Sequence, residues 1–152
     1  MRTPASIAKH PIHPMLVTIP IGLWIFSLVA DVVRVSGASD PVWAVLALYT
    51  MVGGIAGALL AAVPGFVDLL SLQPGPRKTA LTHMAINLTV VTLYVVNAGM
   101  RWSNPADLEV PFWLSVASVA LLAISGWLGG KMVYEHGVAV DIEGITGAGR
   151  TR

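Results

Sequence analysis

The sequence has no cysteine and very little charge, and these two shortages bound the chain before any motif is read. Without cysteine there is no disulfide framework, no thiolate zinc site, no iron–sulfur ligation, no c-type haem attachment and no cysteine nucleophile. Charged residues make up 11% of 152, less than half of the roughly 25% found in an ordinary soluble domain. The net charge is only +1, which removes the electrostatic basis for nucleic-acid binding. Motifs for hydrolase or transferase chemistry are missing as well. There is no serine-centred nucleophile motif, no glycine-rich phosphate loop ahead of a lysine, and no His-Glu-x2-His run. What remains is apolar: hydrophobic residues reach 55% and mean hydropathy is +0.75. A single soluble domain of this size cannot bury so much apolar surface. The composition predicts an integral membrane protein in contact with the lipid bilayer.

Runs nearly free of charge, with only Asp31 near the end of the first and Lys131 at the end of the last, place four spans at about 14–33, 42–67, 79–100 and 111–132. Each reaches the ~20 residues that a helix needs to cross hydrocarbon. The alternating pattern of a membrane β-barrel is missing, so the spans are helices. Short connections join antiparallel neighbours, which predicts an all-α, up-down-up-down bundle over residues 1–140. Residues 141–152 read as a flexible cytoplasmic tail. The first span is longer than a signal-peptide core and is expected to stay in place. Seven of the nine basic residues fall before span 1, between spans 2 and 3, or after span 4. Only Arg34 and Arg101 fall in the other two loops, so both termini are expected in the cytoplasm. Trp43, Trp102 and Trp113 then belong at the outer interface. Pro20 should kink the first helix. Gly53-x3-Gly57 and Gly126-x3-Gly130 offer small faces for close helix packing.

Polar residues of the spans are ordered. At 100° per residue, His83, Asn87, Tyr94 and Asn97 fall within about 40° of one direction on helix 3. On helix 1, His13, Trp24, Ser27 and Asp31 do the same; on helix 4, Ser118, Ser125 and His136 share a direction. Such stripes turn inward, because lipid penalises them outside. His13 and His83 open helices 1 and 3 with an offset of 70, and Asp68 and His136 close helices 2 and 4 with an offset of 68. The chain therefore reads as two repeated helical hairpins about an axis along the membrane normal. All four histidines, His10, His13, His83 and His136, gather at cytoplasmic helix ends with Asp68 and Glu135. Pro11 and Pro14 stiffen the segment around His10 and His13.

The stretches His10-Pro11-Ile12-His13-Pro14, Val63-Pro64-Gly65-Phe66-Val67-Asp68 and His83 with Asn87 resemble a family of bacterial integral membrane proteins. So does Ser125-Gly126-Trp127-Leu128-Gly129-Gly130, running into Tyr134-Glu135-His136-Gly137-Val138. The family is catalogued as domain of unknown function 2231, and the resemblance spans residues 10–140. It implies a four-helix domain in the bacterial inner membrane. Relatives in some cases carry Rieske-type iron–sulfur domains, which implies redox work; this chain has no cysteine to hold such a cluster.

Two site readings follow from the histidines. In the first, one b-type haem is held for electron transfer by His83 with His13 or His136, Asn87 belonging to the same set. Arg77 and Lys78 would meet its propionates, and a quinone or redox protein would exchange electrons on that side. In the second, a bare zinc, iron or copper ion is held by His10, His13, Asp68, His83 and His136. Glu135 and Tyr94 would support the ligands from behind in either case. The third reading has no cofactor: a homo-oligomer or a small subunit of a larger membrane complex.

Overall fold

A computed structural model describes residues 3–140. A two-residue hairpin of β1 (Ser6–Ile7) and β2 (His10–Pro11) leads into a short helix, α1 (Ile12–Leu16). Four long helices follow: α2 (Thr18–Val35), α3 (Val42–Ser71), α4 (Pro74–Ser103) and α5 (Glu109–His136). With α1 continuing into α2, the chain has four helical segments long and apolar enough to cross a membrane among the described residues. The protein is an all-α, multi-pass membrane protein. The tail 141–152 lies outside the described residues.

Helix limits follow local chemistry. Pro20 cannot donate to the carbonyl of Leu16, and its ring crowds that carbonyl. The first span is interrupted one residue later, at Val17, where the backbone stays helical and the N–H still reaches the His13 carbonyl, so the Pro20 defect takes the form of a one-residue irregularity. Pro74 and Pro76 stand in the first turn of α4, where a missing N–H costs nothing. This start makes the α3–α4 connection only Leu72 and Gln73, and it puts Arg77 and Lys78 in helix rather than loop. α5 stops at Gly137, whose φ of 59° is the left-handed conformation of a helix C-terminus. Pro64 is absorbed within α3 without ending it.

The helices pack as two hairpins, α2 on α3 and α4 on α5, closed by α3–α4 and α2–α5 contacts. α2 and α4 therefore lie on one diagonal and meet through side chains. The inward stripe of each supplies the contacts. Trp24 and Tyr94 stack with ring centres 4.4 Å apart and planes 14° from parallel. The Trp24 ring lies against the backbone of Gly54, which leaves no room for a side chain there. Gly53 and Gly57 likewise face Leu23, Ile19 and Pro20, so this glycine pair is used inside the bundle. Gly126 and Gly130 meet nothing within 4 Å and play no part in internal packing.

At the end of the bundle away from the histidines, a buried ion pair crosses the diagonal. Arg101 Nη1 and Nη2 donate to the two carboxylate oxygens of Asp31 at 2.6 and 2.5 Å. Asp31 is 0% exposed and Arg101 5%. Arg101 Nε donates to Asn97 Oδ1 at 2.8 Å, and Ser115 Oγ lies 3.3 Å from both partners. Sequence reading placed Arg101 in a loop as a topology charge; it belongs instead to the core. The reason is that α4 runs to Ser103 and turns Arg101 along the same stripe as Asn97.

Removing Asp31 leaves Arg101 buried without its carboxylate and takes from Arg34 the same partner, 3.8 Å away. Asp31→Asn should therefore destabilise the fold by about 3–5 kcal/mol. Asp31→Leu combined with Arg101→Met should recover most of that loss. Thermal denaturation of the detergent-solubilised protein reads both, and equal losses in the single and double variants would refute the pair as the lock between hairpins.

Candidate functional site

The repeat is visible in the hydrogen bonds. Adding 70 to His13, Trp24, Ser27 and Asp31 gives His83, Tyr94, Asn97 and Arg101; adding 64 to Ala47, Ala61 and Gly65 gives Pro111, Ser125 and Gly129. Ser27 Oγ donates to the Ala47 carbonyl and Asn97 Nδ2 to the Pro111 carbonyl, both at 2.8 Å. His13 contacts the Ala61 carbonyl at 2.8 Å and His83 the Ser125 carbonyl at 2.9 Å. The second helices thus correspond at 64 and not 68, which places Met132, not His136, opposite Asp68. Trp24 meets Tyr94, and Asp31 meets Arg101, across the pseudo-two-fold axis.

The histidines at the other end obey the same relation. The rings of His13 and His83 lie with centres 6.3 Å apart and planes at 87°. A carbonyl oxygen accepts but never donates, so each Nδ1 carries the proton. In the neutral ring Nε2 then keeps its lone pair, turned away from the helix that holds Nδ1. This is the tautomer and the orienting contact seen at imidazole ligands. Both rings rest beside glycine. A Cβ on Gly65 would lie 2.7–3.2 Å from three His13 ring atoms, and one on Gly129 would lie 3.5 Å from His83 Cε1. Asn87 braces His83 by donating to its backbone carbonyl at 2.8 Å and to Ser125 Oγ at 2.7 Å. Ser125 Oγ also lies 3.0 Å from His83 Nδ1.

The other predicted site residues are elsewhere. His10 is exposed in β2, with Nδ1 on the Ala8 carbonyl at 2.9 Å. Asp68 is buried and its Oδ1 accepts the Ala5 N–H at 2.9 Å, tying the N-terminal hairpin to α3. His136 is exposed as the last residue of α5. Its direction on the helix matches Ser118 and Ser125, but at this end the inward places against Leu69, Leu72 and Ala80 are taken by Met132 and Val138. Glu135 is exposed and sits 3.7 Å from Lys131. Tyr94 belongs to the aromatic stack, eleven residues along α4 from His83. Among the described residues, no group of three or more histidine, cysteine, aspartate or glutamate side chains is placed to hold a metal ion. Of the predicted ligands, the structure brings the rings of His13 and His83 together.

The pattern of one known family, described as a predicted membrane protein of domain of unknown function 2231, matches residues 9–142. The chain belongs to this family. No curated protein and no solved structure matches it. The match takes in both histidines of the pair, the Asp31–Arg101 lock and all four spans.

At a pH where the rings are neutral, nitrogen NMR of the labelled protein should find the proton of His13 and of His83 on Nδ1. Free imidazole side chains favour Nε2–H, so a proton on Nε2 in either ring would contradict the carbonyl contacts.

Proposed function

We propose that this protein holds a single b-type haem between His13 and His83 and exchanges electrons at the membrane face where they lie. One observation carries the reading. Across the pseudo-two-fold axis the pairs Trp24/Tyr94, Ser27/Asn97 and Asp31/Arg101 differ, while the histidines are the same residue, held by the same contact beside the same glycine. Metal–nitrogen bonds of about 2 Å place the centres of two opposed imidazoles roughly 6 Å apart, which the 6.3 Å separation fits. A site with two protein ligands suits a macrocycle that supplies the other four donors. A bare zinc, iron or copper ion has less support, since it calls for three or four ligands and no group of three converges among the described residues.

When bound, haem supplies one reversible electron. The chain's own part is to bind and orient it. His13 and His83 are the ligands, the Ala61 and Ser125 carbonyls set their tautomer, and Asn87 fixes His83. Val90, fully buried, separates this end from the ion pair with apolar packing from Leu121. Arg77 and Lys78, exposed in the first turns of α4, offer cations to the propionates at the same end. With the histidines on one side only, exchange is with a quinone or a redox protein at that side, which the loop charges assign to the cytoplasmic face of a bacterial inner membrane.

The test is a visible spectrum of the purified protein, oxidised and reduced, with metal analysis on the same sample. A sharp reduced-haem band with near-stoichiometric iron is expected. His83→Ala should abolish it while leaving membrane insertion intact, and Glu135→Gln should change nothing. A colourless protein with stoichiometric zinc, iron or copper would select the bare-metal site instead. Neither band nor metal after attempted loading would leave a packing role in an oligomer or a larger membrane complex.

A further inference from the structure

The two histidines are identical, but their supports are not, and we propose that His83 is the permanent ligand and His13 an exchangeable one. Departure of His13 opens one position to a small, uncharged diatomic molecule. The inference rests on the reading of this pair as the two axial ligands.

The repeat makes the comparison direct. His83 sits inside the 30-residue α4, and its N–H meets both the carbonyl and the hydroxyl of Ser125. Asn87 ties the same turn of α4 to Ser125. In the first half the counterpart of Ser125 is Ala61, which has no hydroxyl, and the counterpart of Asn87 is Val17, which has no polar group. Both braces are therefore missing at His13. Val17 also carries the one-residue irregularity between α1 and α2, where its N–H still bonds the His13 carbonyl. No side chain caps the start of α1.

The approach to α1 is strained as well. The turn between β1 and β2 holds Ala8 and Lys9 at φ 48° and 68°, a conformation that residues with a Cβ adopt reluctantly. Its tether to the bundle is the Ala5 N–H on Asp68. Moving α1 costs the His13 ring its contact with Ala61, the Val17 N–H its bond to the His13 carbonyl, and the packing of α1 on α3; moving His83 would break α4 in its interior. The ring would leave behind a hollow floored by Gly65 and walled by Ala61, which is small and carries no charge. In the exchange one iron–nitrogen bond breaks and one bond from iron to the diatomic forms, with no electron or proton gained or lost.

Carbon monoxide added to the reduced, haem-loaded full chain is the probe. The wild type should bind it slowly, at a rate that levels off with carbon monoxide concentration because departure of His13 is limiting. His13→Ala should retain haem and bind at once, and added imidazole should restore its wild-type spectrum. Gly65→Ala, whose new methyl collides with the His13 ring, should speed binding at least tenfold. Gly126→Ala, which meets nothing within 4 Å, should leave the rate unchanged. A wild-type spectrum indifferent to saturating carbon monoxide would overturn the proposal, as would haem loss from His13→Ala equal to that from His83→Ala. Absence of any haem band in the loaded wild type would instead overturn the axial-pair reading, and this inference with it.

Discussion

The bundle depends on the meeting of Asp31 and Arg101. Neither ion can stay unpaired in a dry core, where the effective penalty is several kcal/mol per ion. The bidentate contact, at 2.6 and 2.5 Å, satisfies both at once and tolerates little sliding. It joins helices on a diagonal, so it sets the register of one hairpin against the other. Eighteen residues separate Asp31 from His13, and eighteen separate Arg101 from His83. At 1.5 Å per residue the two pairs are about 27 Å apart along the axis, and eighteen residues complete five full turns. Locking the charges at one end therefore brings both histidines to the same side and depth at the other.

Much of this was legible in the sequence, because lipid removes the alternatives. A scarcity of charge marks the spans, and a polar residue within a span must face another helix. Those two rules locate the inward stripes through His13, Trp24, Ser27 and Asp31 and through His83, Asn87, Tyr94 and Asn97. Arg101 escaped them, since a cation just beyond an apolar run reads as a loop charge. Its direction on the helix, the same as that of His83 after five turns, was the available signal. His136 and Asp68 show the opposite failing. A helical wheel reports direction but not whether a neighbour extends far enough to meet the side chain. At His136 the inward places are filled by Met132 and Val138, and Asp68 is engaged by the N-terminal segment. The His13–His83 contact itself needed the repeat, and the offset of the second helices is set by loop lengths that hydropathy does not measure.

The divergence of the two halves follows from what an axis permits. A position on a two-fold axis meets its own counterpart, so the same residue in both halves faces itself. Aspartate against aspartate, or arginine against arginine, would put like charges together in a medium that screens them poorly. The ion pair thus requires that the halves differ. Trp24 and Tyr94 differ on steric grounds, since the indole needs the bare backbone of Gly54 where the other half carries Ser118. Imidazoles are under no such constraint. Each imidazole holds Nδ1 on a carbonyl of the helix beside it, so the same residue serves in both halves. The end of the bundle where the halves remain the same is the end that holds His13 and His83. The differences that remain there, Ala61 for Ser125 and Val17 for Asn87, act on how firmly each ring is held and leave the donor atoms untouched.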